Sequence, residues 1–363
     1  MRARIEAIVN GGLGLARIDG EVVFVDYAID KELIEIEITQ KKKGYSKGRI
    51  KSIIEPSPHR IEPPCPYYTL CGGCDLQHIR YDHQLEIKKG IVKNTIKRIA
   101  KIDVQIAGIH PSNMQFGYRK RVDFSCLKGR WGFLKKGSSE FIGIDRCLLA
   151  DDAINDYIKN NSCMRKTRIE IDDKGRINQK QMYLDIGVGK PLTYRLGAFS
   201  QINRNINIKL IERITSIAKQ TNSKTAIEFF CGIGNFTIPL SLNQISITAL
   251  EWDKNAVLSL KDNIKAFGIK NIAIQRANLM QPFRINTEFD LAILDPPREG
   301  ARYVAEWLRR RKVNWIIYVS CEPSTLARDL FMLKESYTIE SVELFDMFPQ
   351  THHIETLVLL KLK

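Results

Sequence analysis

The chain has 363 residues with 44% apolar side chains, enough for two or three domains with packed cores. It contains no apolar run of about 18 residues that would span a membrane. A net charge of +15 and a pI near 9.4 point to a polyanionic partner, most simply nucleic acid.

The opening Met1-Arg2-Ala3-Arg4-Ile5-Glu6 has no apolar signal core, so the cytoplasm is the expected compartment. Residues 1–54 alternate short apolar runs with glycine turns. Strands are expected at Ile5–Val9, Glu21–Val25, Leu33–Thr39 and Arg49–Ile54, with a turn across Asn10-Gly11-Gly12-Leu13-Gly14. A small five-stranded barrel fits this length. Its last hairpin would carry Lys41, Lys42, Lys43, Lys47, Arg49 and Lys51, a stretch with no acid. Arg119-Lys120-Arg121 and Arg309-Arg310-Arg311-Lys312 are two further basic groups. Glu55-Pro56-Ser57-Pro58 and Glu62-Pro63-Pro64 read as a linker.

Cys65, Cys71 and Cys74 then fall within ten residues, with Gly72 and Gly73 allowing a tight wrap. Such crowding in a cytosolic chain points to metal or catalysis rather than to a disulfide framework. Cys147 is the best fourth ligand, and four thiolates suit an iron–sulfur cluster or a zinc ion. A zinc site of three cysteines and His78 is the rival. Cys126 and Cys163 have no evident partners and read as core or surface thiols. Leu85–Ala100 has an amphipathic helical pattern, with Lys88, Lys89, Lys93, Lys97 and Arg98 assigned to its wet side. Residues 117–195 mix strand-like runs (Val122–Cys126, Trp131–Leu134, Phe141–Ile144, Arg168–Ile171, Met182–Ile186) with one helix near Asp151–Asn160, an α+β pattern. A helix near Ile208–Ala218 follows.

From Thr225 strands and helices alternate, as in a doubly wound parallel sheet. The run Thr225–Phe230 ends in Cys231-Gly232-Ile233-Gly234, whose glycines let backbone approach a cofactor. Glu251 closes the next strand, where a ribose-binding acid is expected. Asp295-Pro296-Pro297-Arg298 closes Phe289–Leu294, and Ser320-Cys321-Glu322-Pro323 closes Trp315–Val319. All four elements stand at carboxyl ends of strands, where such sheets bind ligands. Cys321 precedes a helix start near Ser324, which would favour a thiolate nucleophile. Glu355, at the head of the last strand, is the candidate base. The last two strands, Tyr337–Asp346 and Glu355–Leu362, have no helix between them, so one should be antiparallel. Arg298 stands where enzymes that methylate exocyclic amines usually carry an aromatic residue, which favours carbon methylation.

Together these residues resemble the RNA uracil-5-methyltransferase family, the bacterial type with an iron–sulfur cluster, over nearly the whole chain. The resemblance implies an α/β fold with three parts. Residues 1–54 would form a TRAM-like RNA-binding β-barrel and residues 55–195 a central α+β iron–sulfur domain. Residues 196–363 would form a Rossmann-like methyltransferase domain. It implies S-adenosylmethionine bound by Gln201, Phe230, Asn235, Glu251, Asn278 and Asp295, and a [4Fe-4S] cluster held by Cys65, Cys71, Cys74 and Cys147. Cys321 would be the nucleophile and Glu355 the proton acceptor. The implied product is 5-methyluridine in RNA, with 23S rRNA first, the T loop of tRNA second, and a monomer as the acting form. A non-catalytic RNA-binding protein is a further reading, which the intact Asp295, Cys321 and Glu355 oppose. A radical enzyme is opposed by Cys65-x5-Cys71, which is not the usual spacing of that class. Three departures from the family pattern stand out. Glu228 replaces a commoner Asp, Glu322 replaces a frequent Asn, and His352-His353 replaces Gly-His.

Overall fold

In the computed structural model, which describes residues 1–363, six strands form the N-terminal sheet. They are β1 (Arg2–Arg4), β2 (Ala7–Val9), β3 (Leu13–Ile18), β4 (Glu21–Val25), β5 (Leu33–Lys42) and β6 (Tyr45–Glu55), ordered β1-β5-β6-β4-β3-β2. Period-two alternation turns Ala16, Val23, Val25, Ile34 and Ile36 inward. The sheet has one strand more than the expected five. Gly14 suggested a turn, but it lies inside β3, where an added Cβ would come 2.8 Å from the Ala28 Cβ. Its role is close packing. The β5–β6 hairpin does carry the first basic group, with Lys41, Lys42, Lys43 and Lys47 exposed.

Helix α1 (Tyr81–Ala100) starts four residues earlier than the apolar pattern suggests. Ile87 and Ile91 pack on the N-terminal sheet, while Val92, Ile96 and Ala100 enter the core of the C-terminal sheet. Gln84, Lys88 and Val92, spaced by four, form an inward stripe. Lys88 is therefore not on the wet side. Its ammonium lies 2.6 Å from Asp346 Oδ1, with both side chains fully buried.

After β7 (Gly108–His110) come β8 (Arg121–Leu127), β9 (Arg130–Leu134), β10 (Phe141–Gly143), α2 (Asp152–Asn160) and β11 (Thr167–Glu170). The last four strands form an antiparallel sheet, β10-β9-β8-β11, sharing a core with α2 through Phe124, Trp131, Ile154 and Ile158. Cys126 and Cys163, expected to be free, form a disulfide with Cα atoms 5.9 Å apart. They lie 37 residues apart in sequence, and only the folding of the chain after α2 onto β8–β9 brings them together. A hairpin, β12 (Gln181–Leu184) and β13 (Leu192–Arg195), follows.

The remaining elements are α3 (Arg204–Gln220), β14 (Thr225–Phe229), α4 (Thr237–Leu242), β15 (Ser246–Glu251), α5 (Lys254–Phe267), β16 (Ile272–Arg276), β17 (Leu291–Leu294), α6 (Arg302–Arg311), β18 (Trp315–Ser320), α7 (Pro323–Leu333), β19 (Tyr337–Phe345) and β20 (Glu355–Leu362). They build an eight-stranded sheet in the order β16-β15-β14-β17-β18-β20-β19-β7. Only β20 runs antiparallel to its neighbours, as the missing helix before it implied. Its first residue thus lies level with the carboxyl end of β18, where Thr356 pairs with Ser320. Two cores of 30 buried residues each cover the two faces. α1 and β7, though they lie within 55–195, pack with this sheet. Strand order reverses between β14 and β17, so the crevice opens there.

Candidate active site

The turn after β14 begins with Phe230 at φ 60, a costly conformation for a side-chain-bearing residue, followed by Gly232 and Gly234 at positive φ. A Cβ on Gly234 would stand 2.6 Å from Leu260 of α5, so this glycine sets how closely turn and helix pack. The Gly232 amide donates to Glu251 Oε2 at 3.0 Å, and Glu251 Oε1 accepts from the amides of Trp252 and Asp253. This fixes the acid at the end of β15.

Asp295 follows β17, where Gln201 Nε2 reaches its Oδ2 at 3.4 Å. Cys321 follows β18, and Glu322 caps α7 by accepting from the Ser324 amide at 3.1 Å. Glu355 opens β20, is 2% exposed, and its Oε1 has no hydrogen-bond partner. One cleft of about 660 Å³ is lined by Gln201, Phe230, Glu251, Asn278, Asp295, Cys321 and Glu355. Asn235 lines a smaller adjoining pocket that shares Gln201, Phe230 and Asp295, and its amide exchanges hydrogen bonds with Asn207 of α3.

The cleft has further walls beyond the candidate catalytic and cofactor residues. Phe199, 62% exposed, stands at its mouth with the Arg121 guanidinium 5.4 Å from its ring centre. Trp252, Met280, Arg298, Phe348 and His353 also line it. Of these, Phe199 and Trp252 flank motif residues, and that adjacency was the available signal. Arg121 was hidden inside one of the basic groups credited to a polyanionic partner. The structure corrects that reading. Lys120 pairs with Asp151, Arg121 lies 3.7 Å from the buried Glu170, and Arg119 lines a cavity described below. Arg309–Lys312 is exposed, but at the C-terminal end of α6, away from the crevice.

The electrostatics differ from the expected activated thiolate. Burial, then the carboxyls of Glu355 and Asp295, push the Cys321 thiol up to about 12, and Arg298 offsets only part of this. The nearby start of α7 does not outweigh two acids and burial. Burial raises Asp295 and Glu355, each the other's neighbour, and raises Glu228 to about 8. The cleft floor is a set of buried acids short of cations. Such a site suits a positively charged ligand.

A second cavity gathers Cys65, Cys71, Cys74 and Cys147, all free, with Tyr67, Tyr68 and Arg119. Three of the cysteines come from the loop after the linker, and the fourth comes from the turn before α2. Burial pushes Cys71 up to about 11 and Cys74 up to about 12. No three His, Cys, Asp or Glu side chains approach closely enough to hold a single metal ion. His78 is not in this cavity. Its Nδ1 lies 2.6 Å from the Tyr68 hydroxyl. The cysteine loop docks beside the active site, where the amides of Asp75 and Leu76 both donate to the Gln350 carbonyl.

Residues 162–363 match the family model described as tRNA (Uracil-5-)-methyltransferase, and residues 1–51 match the TRAM domain. An "Uncharacterized RNA methyltransferase" of Aquifex aeolicus is 30% identical over 100% of this chain and 99% of its own. The 23S rRNA (uracil(1939)-C(5))-methyltransferase RlmD of Shewanella amazonensis is 28% identical over 99% of this chain and 95% of its own. The crystal structure of Pyrococcus abyssi tRNA (uracil-54, C5)-methyltransferase in complex with S-adenosyl-L-homocysteine superposes with a TM-score of 0.74. It is 22% identical and covers 99% of this chain and 100% of its own, which shows a shared fold. The chain belongs to the tRNA (uracil-5-)-methyltransferase family.

Proposed function

We propose that this protein transfers a methyl group from S-adenosylmethionine to C5 of a uridine in RNA, with 23S rRNA the first candidate and the T loop of tRNA the second. The observation that carries this is the meeting of Cys321 and Glu355 in one cleft with Gln201, Phe230, Glu251, Asn278 and Asp295. The last five, with Asn235 in the adjoining pocket, are our cofactor-binding set. Buried Asp295 and the neighbouring buried acids Glu228 and Glu355, none of them paired with a cation, fit the cationic donor.

Uracil C5 is a weak nucleophile. In our mechanism Cys321 gives its proton to solvent and its sulfur bonds to C6, and the electron pair of the C5=C6 bond makes C5 nucleophilic. Bound S-adenosylmethionine supplies an activated methyl group and a positive charge beside the acids. C5 takes the methyl as S-adenosylhomocysteine leaves with the S–CH3 bonding pair, Glu355 removes the C5 proton, the double bond reforms, and Cys321 leaves as thiolate. The target base must leave its stack to reach the cleft, and the exposed Phe199 ring at the mouth is suited to base stacking.

The division into a TRAM-like barrel (1–54), a cysteine-bearing central segment (55–195) and a methyltransferase domain (196–363) is part of this reading. So is a [4Fe-4S] cluster on Cys65, Cys71, Cys74 and Cys147. Four free thiols around one cavity fit it, because each iron takes one thiolate and the sulfurs need not converge as around one zinc ion. Arg119, whose buried Nε lacks a partner, adds positive charge on that wall. The choice of 23S rRNA leans on relatives with that printed specificity, which match nearly the full chain. No helix is long and apolar enough to cross a membrane, and we place the reaction in the cytoplasm. Mapping 5-methyluridine in total RNA from cells with and without this protein tests the proposal. One uridine losing its methyl group supports it, and an unchanged map overturns it.

A further inference from the structure

Glu322, next to the nucleophile, and His352, shortly before the base, meet at the same place. That place is the β2–β3 turn of the N-terminal sheet, more than 300 residues away in sequence. Asn10 Nδ2 donates to Glu322 Oε1 at 2.9 Å and lies 3.4 Å from Ser324 Oγ. The same Glu322 oxygen accepts from the Ser324 amide and so caps α7 directly after Cys321. Two residues on, Gly12 is buried, and an added Cβ would stand 3.0 Å from the Asp75 Cβ and 3.3 Å from the His352 Cβ. His352 Nδ1 in turn lies 2.6 Å from Asp75 Oδ2. Its ring packs 4.0 Å from that of His353, which lines the cleft two residues before Glu355. A three-residue turn thus touches the segment after the nucleophile and the segment before the base.

We propose that the β2–β3 turn is a positioning element of the methyl-transfer site, with Asn10 its positioning residue. Through this turn the N-terminal sheet sets the register between Cys321 and Glu355. This rests on the reading of those two residues as the reacting pair. Glu322 reaches outward to Asn10, and His352 packs beside Gly12 while bonded to Asp75.

The test uses the full chain with Asn10→Ala, Gly12→Ala, Asn10→Asp, Glu322→Gln and the double variant Asn10→Asp/Glu322→Gln. Amide hydrogen exchange needs no RNA and reads the positioning alone. Exchange of residues 321–326 and 350–355 should quicken about tenfold in Asn10→Ala and Gly12→Ala, while strands β3–β6 keep their protection. With a large-subunit ribosomal RNA transcript and S-adenosylmethionine, kcat should fall about tenfold in Asn10→Asp with KM for the RNA unchanged, because two carboxylates would then face each other. The double variant exchanges the donor and acceptor roles and should restore kcat. Unchanged exchange of both segments in both alanine variants overturns the proposal. So does a loss of protection spread evenly over the barrel that the double variant fails to repair. If the wild type methylates no RNA, the proposed function fails while the exchange result still stands.

Discussion

Replacing Lys88 by Met is the sharpest structural test, because the sequence pattern assigns this residue to water and the fold buries it. Its ammonium is 2.6 Å from Asp346 Oδ1 and 3.1 Å from the Phe348 carbonyl, and both charged side chains are fully buried. Met fills the space of the aliphatic stem but leaves the carboxylate without its counter-charge. Removing one partner of a buried pair costs about 3–5 kcal/mol. The Tyr81 hydroxyl still donates to Asp346 Oδ2 at 2.7 Å, which favours the lower half of that range. The orphaned Phe348 carbonyl adds about 1 kcal/mol. In urea unfolding followed by tryptophan fluorescence, a cost of about 4 kcal/mol moves the midpoint down by about 1 M. Adding Asp346→Asn removes the stranded charge and should recover at least about half of the loss. A midpoint shift below about 0.2 M for Lys88→Met would refute the buried pair. Because Asp346 and Phe348 begin the loop that leads to Glu355, the variant should also lower kcat before it changes cofactor binding.

Cys321→Ala should abolish turnover while S-adenosylmethionine still binds in equilibrium dialysis, and measurable turnover would remove Cys321 from the nucleophile role. Glu355→Gln should trap a protein–RNA adduct stable in denaturing gels, and release at the normal rate would remove Glu355 from the base role. Affinity for S-adenosylmethionine should rise between about pH 6 and about pH 8.5. Below that window the raised carboxyls are protonated and cannot pair with a cation, whereas above it they are ionised. S-adenosylhomocysteine, neutral at sulfur, should show little of this slope in calorimetry, and equal slopes would count against the acid–sulfonium pairing. Anaerobically purified protein should carry about four iron and four sulfide per chain, both lost in Cys147→Ser, and stoichiometric zinc instead would reject the cluster.

The alternation of strands and helices from Thr225 onward was legible because a parallel sheet writes near-continuous apolar runs ending in distinctive turns. Every residue picked for the crevice lines it or, for Asn235, its neighbouring pocket. What stayed hidden depends on partners distant in sequence. Lys88 looks like any helix lysine until Asp346 is placed opposite it. Arg119–Arg121 reads as a basic group free for a polyanion until Asp151, Glu170 and the cysteine cavity take up its charge. Cys126 and Cys163 carry no local sign of pairing. β7 is three residues long and joins the sheet edge only because β19 offers it a free side.

The helix start after Cys321 was expected to favour a thiolate, and the failure of that expectation bears on mechanism. A helix terminus contributes about half a charge, spread over several amides. Here it competes with two carboxyls and with burial, all of which favour the neutral thiol. A cleft that raises both its nucleophile and its acids is poorly set for reaction when empty. The same arrangement becomes consistent once a cation lies among the acids. Glu355 and Asp295 then favour their ionised forms, and the positive charge offsets their repulsion of the Cys321 thiolate. Buried acids that cost stability in the free chain would thus prepare both ends of the reaction when the donor is bound. Nucleophile and base would become competent together, and only with the methyl group in place.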